Sequence, residues 1–203
     1  MSSTNGSDGH EKKVETAKEK KELADKAFQA SDLPTALRFY HEALFYLKGL
    51  DSNTTDIVAG NTGDQSATIS PEKKEVNAII EKVYSNMCAC QIKQGKWQRA
   101  IETADKVLAK NPDNVKAKFR KGKALGELGF YEKATALLED LLKANEQGQD
   151  APAIKTELQR FRIMEKEVTK KADTKMRGFL NKDKTLLAKE EKPTKESETA
   201  AAS

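Results

Sequence analysis

Two short segments of this chain repeat one another at a fixed distance. Gly95-Lys96-Trp97-Gln98-Arg99-Ala100-Ile101 and Gly129-Phe130-Tyr131-Glu132-Lys133-Ala134-Thr135 share glycine, aromatic and alanine in register, a step of 34 residues from Gly95 to Gly129. The frame occurs again upstream, in Ser31-Asp32-Leu33-Pro34-Thr35-Ala36-Leu37. A step of this size marks a supersecondary unit that cannot bury its apolar face alone. Such units stack on their neighbours, so the fold is set by the repeat before any single residue is considered.

Within each unit the apolar spacing is helical. Ala36, Leu37, Tyr40, Ala43 and Leu44 recur at steps of one, four, seven and eight, continuing through Phe45 and Leu47, and Ala100, Ile101, Ala104, Val107 and Leu108 repeat those steps. The preceding helix of the first unit carries Leu23, Ala24, Ala27 and Phe28 on one face. In the second unit, Ser70-Pro71-Glu72 offers a cap, a proline at the first helical position and an acid at the positive dipole end. That helix runs to Gln94 with Val76, Ile79, Ile80, Val83, Tyr84, Met87 and Ile92. Asn111-Pro112-Asp113-Asn114 then stops the chain, and the third unit opens at Val115 with Phe119, Gly122 and Leu125. Its second helix shows Ala134, Leu138, Leu141 and Leu142. Twelve residues before each frame alanine stands a small residue, Ala24, Cys88 or Gly122, which lets the paired helices approach closely. Trp97 and Tyr131, just after the turns, read as packing residues.

The boundaries follow. Residues 1–14 read as a disordered tail, 15–145 as the repeat domain, 150–180 as a capping and extended helix, and 181–203 as a second tail. The polar stretch 51–70 reads as an insertion between repeats. The last helix carries Ile154, Leu158, Phe161, Met164 and Val168 and covers the exposed end of the stack. With 33% charged residues and a mean hydropathy of -0.75, the chain suits a one-layer stack better than one deep core.

Composition also excludes function classes. No run of eighteen apolar residues is present and the first residues lack an apolar core, so neither a membrane span nor a secretory signal is expected. Cytoplasm or nucleus follows. Cys88 and Cys90, two apart on a helix, point in different directions and read as small packers. The only histidines, His10 and His41, complete no metal set with them. No nucleophile–base pair or phosphate loop stands out, so no catalytic residue, metal or cofactor is nominated and the chain reads as a non-enzyme. A net charge of +4 does not compel nucleic-acid binding.

The repeat length, its helix-turn-helix halves and the Asn-Pro-Asp punctuation resemble the tetratricopeptide repeat. The longer arrangement is similar to the tetratricopeptide repeat protein 9 family and to the repeat module of large immunophilins. The resemblance is carried by Tyr40-His41-Glu42-Ala43-Leu44, the exit Lys48-Gly49-Leu50-Asp51, the insertion, three repeats and a charged helix ending Met176-Arg177-Gly178-Phe179. It implies an all-α right-handed superhelix of three helix-turn-helix repeats plus a C-terminal capping helix, and the adaptor half of an immunophilin only.

Many three-repeat modules of this family bind the acidic C-terminus of heat-shock chaperones of the seventy- and ninety-kilodalton classes. They clamp its carboxylates with lysine and asparagine from the first helix of each repeat. Carried onto this sequence, the clamp falls on Lys21, Asn86, Lys116 and Arg120, with Lys123 continuing the third-repeat stripe. The first repeat's asparagine position is Asp25, whose carboxylate repels a bound carboxylate and can pair with Lys21 one turn away. The expectation is a co-chaperone-like adaptor with a weakened clamp. Two other readings stay open: a scaffold for a different protein partner with a non-functional clamp, and a basic nucleic-acid-binding helical protein. The last lacks surface aromatics among its basic residues.

Overall fold

The computed structural model describes residues 5–48, 50 and 71–190. All regular structure among them is helical: α1 (Asn5–Gln29), α2 (Leu33–Leu47), α3 (Pro71–Lys93), α4 (Trp97–Lys110), α5 (Val115–Glu127), α6 (Tyr131–Ala144) and α7 (Ala151–Glu190). None of these helices is long and apolar enough to cross a membrane. The expected insertion at 51–70, the Ser70 cap and residues 191–203 lie outside the described residues.

The repeat frame has a backbone cause. The first helix of each pair closes with the same two hydrogen bonds. Asp32, Lys96 and Phe130 donate their backbone N–H five residues back, to the carbonyls of Ala27, Gln91 and Leu125. Ser31, Gly95 and Gly129 donate three back, to Phe28, Ile92 and Gly126. This is a Schellman closure, which places its turn residue in the left-handed region. The φ values are 63° at Ser31, 69° at Gly95 and 85° at Gly129. Glycine recurs every 34 residues because the turn demands positive φ, and Ser31 meets the same demand with a Cβ in place.

The second helices start from that turn. Asp32 caps α2 by accepting from the Thr35 N–H at 3.2 Å. Asn114 caps α5 by accepting from the Ala117 N–H at 2.8 Å. Glu81 of α3 accepts from Asn111 at 2.9 Å and from Asn114 at 2.7 Å, so the Asn-Pro-Asp-Asn turn is fastened to the repeat it leaves.

Packing runs α1 on α2, α3 on α4 and α5 on α6 within pairs, and α2 on α3 and α4 on α5 between them. The first helices also touch in a row, α1 on α3 and α3 on α5. Frame alanines Ala36, Ala100 and Ala134 are wholly buried, as are Tyr40, Val83, Val107 and Leu138. The small residues opposite them are required sterically. The Cys88 Sγ lies 3.4 Å from the Ala100 carbonyl, and a Cβ at Gly122 would come within 2.8 Å of Leu138. Both cysteines are free and buried, and burial pushes each thiol up to about 11. Trp97 packs partly buried on the Cys88–Ala100 cluster, and the Tyr131 ring lies 6.3 Å from Phe161.

Three expectations change. First, α1 begins at Asn5, inside the stretch whose composition suggests a tail. The apolar stripe of α1 extends back through Ala17 and Val14, both buried, and Lys18 pairs with Glu75 of α3 at 2.8 Å. Leu23 lies off that stripe, and both it and Phe45 are exposed, Phe45 at 74%. Second, α7 continues to Glu190, past the expected end at 180 and into the expected tail. Third, burial along α7 stops early. Ala151, Ile154, Leu158 and Phe161 are buried, whereas Ile163 and Val168 are about half exposed. The chain divides there into two units, Met1–Phe161 and Arg162–Ser203. The first contains the repeats and the buried start of α7, which covers the third pair. Gly126 of α5 is bare because a Cβ there would overlap the Phe161 ring.

Candidate peptide-binding site

The five clamp positions, with Lys123, lie on the first helices: Lys21 and Asp25 on α1, Asn86 on α3, and Lys116, Arg120 and Lys123 on α5. The residues expected to bind a ligand are mostly engaged with one another or with neighbours, and Asp25 is the hub. Lys21 Nζ donates to Asp25 Oδ2 at 2.6 Å, one turn along α1. Asp25 Oδ1 accepts from Tyr40 Oη of α2 at 2.5 Å and from Asn86 Nδ2 of α3 at 2.9 Å. One carboxylate therefore joins three helices of two repeats.

The electrostatics follow from this geometry. Burial acts to raise the Asp25 carboxyl, but the donors Lys21, Tyr40 and Asn86 prevail and hold it below the ordinary carboxylate range. For Tyr40 the same facts act upward. Burial first, then the Asp25 carboxylate accepting its hydroxyl proton, keeps the phenol protonated far beyond neutral pH. Tyr40 was legible in the sequence only as a core residue. A buried tyrosine needs a partner for its hydroxyl, a signal that asks for an acceptor without saying which residue supplies it.

The third-repeat residues divide. Arg120 Nη1 donates to the Ser85 carbonyl at 2.8 Å and to the Ser85 hydroxyl at 2.6 Å, next to Asn86 on α3. Ser85 gave no sign of this role in the sequence. Its backbone carbonyl is half of the contact, and any residue type supplies one. Lys123 does not continue a free basic stripe. It pairs with Glu157 of α7 at 2.8 Å, and Glu157 also accepts from Arg160 at 3.0 Å. Its position three residues beyond Arg120 brings it under the covering helix. Lys116 is exposed, with no hydrogen bond or ion pair among the described residues.

Donor capacity remains at this surface. Lys21 carries three N–H groups and Asn86 two, and each gives one to Asp25. Arg120 uses one terminal nitrogen of its fork. The formal charge over Lys21, Asp25, Lys116 and Arg120 is +2, because Asp25 cancels one of the three cations. The arrangement leaves N–H donors and net positive charge along α3 and α5 and a carboxylate at the α1 corner. No group of histidine, cysteine and acidic residues that could hold a metal exists among the described residues.

Comparison with known proteins agrees with the repeat architecture. A family model described as Tetratricopeptide repeat matches residues 91–158. Tetratricopeptide repeat protein 9C of Xenopus tropicalis is 28% identical over 116 residues, covering 56% of this chain and 65% of that protein. FK506-binding protein-like of Rattus norvegicus is 30% identical over 152 residues, covering 73% of this chain and 38% of that protein. The chain thus spans less than two thirds of the length of either relative. Among solved structures, the C-terminal repeat domain of a Plasmodium falciparum FK506-binding protein superposes with a TM-score of 0.63 at 25% identity. It covers 79% of this chain and 95% of that one. The Hsp90 co-chaperone Cns1 of Saccharomyces cerevisiae (TM-score 0.62, 20% identity) covers 88% and 48%. The first repeat domain of Spaghetti (RPAP3), bound to the HSP90 peptide SRMEEVD (0.53, 16%), covers 74% and 94%. These last two share the fold. With three helix pairs, a repeated Schellman turn and these matches in hand, the chain has the tetratricopeptide-repeat fold and resembles the tetratricopeptide repeat protein 9 family and the repeat modules of immunophilins.

Proposed function

We propose that this chain is a non-enzymatic, co-chaperone-like adaptor that binds the acidic C-terminal peptide of a heat-shock chaperone of the seventy- or ninety-kilodalton class. The surface used is the row of first helices, in the cytoplasm or nucleus. One observation carries the reading: Lys21 of α1 and Asn86 of α3 converge on a single carboxylate, that of Asp25, at 2.6 and 2.9 Å. Donors from two repeats are therefore already set at carboxylate spacing on rigid helices. Lys116 and Arg120 extend the row onto α5. Fold neighbours that include an Hsp90 co-chaperone and a domain bound to SRMEEVD support the choice of ligand.

The same observation favours a second reading. Because Asp25 itself fills the α1 corner, the module could serve a protein partner that ends in no free carboxylate there. Titration of labelled SRMEEVD, free acid and C-terminally amidated, separates the two. The first reading expects binding near 10 μM, about -7 kcal/mol, weakened about tenfold by amidation and by Lys116→Ala. Equal binding of acid and amide refutes the clamp and leaves the scaffold.

A further inference from the structure

Another face of α3 carries a second surface that the clamp does not use. Ile80, Tyr84, Met87 and Gln91 follow one another at four, three and four residues, on one face of α3. Asn86 lies on another, since each residue turns the helix by about 100°. That face floors a groove of about 600 Å³ walled by α2 and α4, a size that takes several peptide side chains. Leu44 and Leu47 add to its apolar lining.

Three features distinguish it from a packing gap. Phe45 stands at its rim 74% exposed, its ring fixed edge-on against Tyr46 at 5.9 Å. An aromatic ring held in water on the α2 face costs solvation that only a partner would recover. On the floor, Gln91 is more than nine-tenths buried, yet its Oε1 accepts no hydrogen bond among the described residues. Such an orphan acceptor asks for a donor. Around the rim, Lys48, Arg99 and Lys106 face one acid among the described residues, Glu102. Lys48 and Arg99 have no ion pair among the described residues, and Lys106 lies over the Tyr84 ring at 5.5 Å.

We propose that this groove is a second docking surface, taking a segment of a partner protein that sets acidic residues beside large apolar side chains. The apolar side chains enter between Phe45 and the α3 face, the acids meet Lys48, Arg99 and Lys106, and a donor of the segment reaches Gln91. The excess of cations over Glu102 selects that charge. With clamp and groove on different faces of α3, the module can hold two partners at once, and this surface stands whether or not the clamp binds a chaperone tail.

The probe is the labelled peptide Ac-Asp-Glu-Leu-Phe-Asp-Glu-Leu-amide, which has no terminal carboxylate to offer the clamp, with a counterpart carrying lysine for each acid. Fluorescence polarisation with the full chain should show saturable binding of the acidic probe only. Phe45→Ser and, separately, Arg99→Glu with Lys106→Glu should each weaken it at least tenfold, while Lys116→Ala leaves it unchanged. Melting curves of the variants, all at exposed positions, should match the parent. Failure of the acidic probe to bind, equal binding of the basic one, or equal weakening by Lys116→Ala overturns the proposal. So does a tenfold gain on changing Ile57 and Val58 to serine, which would make the chain's own 51–70 segment the occupant.

Discussion

Replacing Asp25 by asparagine isolates the residue on which the clamp depends. The substitution keeps the shape and keeps an acceptor for Tyr40 and Asn86, whose bonds now measure 2.5 and 2.9 Å. It removes the charge opposite Lys21. A ligand carboxylate held by Lys21 and Asn86 would sit roughly 5 Å from that of Asp25. Coulomb repulsion there is about 0.8 kcal/mol in water and about 3 kcal/mol at an effective dielectric of 20. The Lys21 and Asp25 side chains are 23% and 31% exposed, so a value between these limits, about 1.5 kcal/mol, applies. Asp25→Asn should therefore tighten free-acid SRMEEVD about tenfold and leave the amidated peptide unchanged, as read by fluorescence anisotropy. Folding stability should fall by about 1 kcal/mol as charge-assisted bonds become neutral ones. Equal affinity of parent and variant for the free acid would mean that Asp25 does not meet the ligand, and the reasoning fails. An equal gain for the amide would show that the effect is not one of carboxylate repulsion.

The Asp25 carboxyl is held below its unfolded value, so its bonds contribute stability above a pH of about 3.9, lost as the pH falls through the lower folded value. Acid unfolding followed by circular dichroism should accordingly be shallower below about pH 4 in Asp25→Asn than in the parent. Ser31→Gly should stabilise the fold by about 0.5–1 kcal/mol, because relief of positive φ exceeds the added unfolded-state entropy. A melting temperature unchanged or lowered would contradict the strain at Ser31. Gly126→Ala should destabilise by about 1–3 kcal/mol despite better helix propensity, since the new Cβ displaces the buried Phe161 ring; a stabilised variant would refute that contact. Cys88 and Cys90, buried and with thiols near 11, should react with a disulfide reagent at pH 8 only on unfolding, and prompt native labelling would place one of them at the surface.

The repeat needed no coordinates to be found. Its glycines, alanines and helical spacings are local requirements of a turn, a close helix contact and an apolar face, and each leaves its mark on the sequence at a fixed step. Even Ser31 was in register, although only its φ of 63° shows that it carries glycine's task. The ends were less legible. Composition at 1–14 and beyond 180 is polar, yet α1 reaches back to Asn5, its apolar stripe extended by the buried Val14, and α7 runs on to Glu190. Lys21, Asn86, Lys116 and Arg120 were singled out by the family resemblance, and all four lie on the first helices.

Whether those side chains are free is a different matter, and only tertiary structure decides it. Lys123 is bound by Glu157, Arg120 by Ser85, and Asp25 by three helices at once. Sequence register fixes which face a side chain leaves from, within one helix. Its partner comes from another helix, 15 residues away for Tyr40 and 61 for Asn86, and that pairing exists only after the helices have packed.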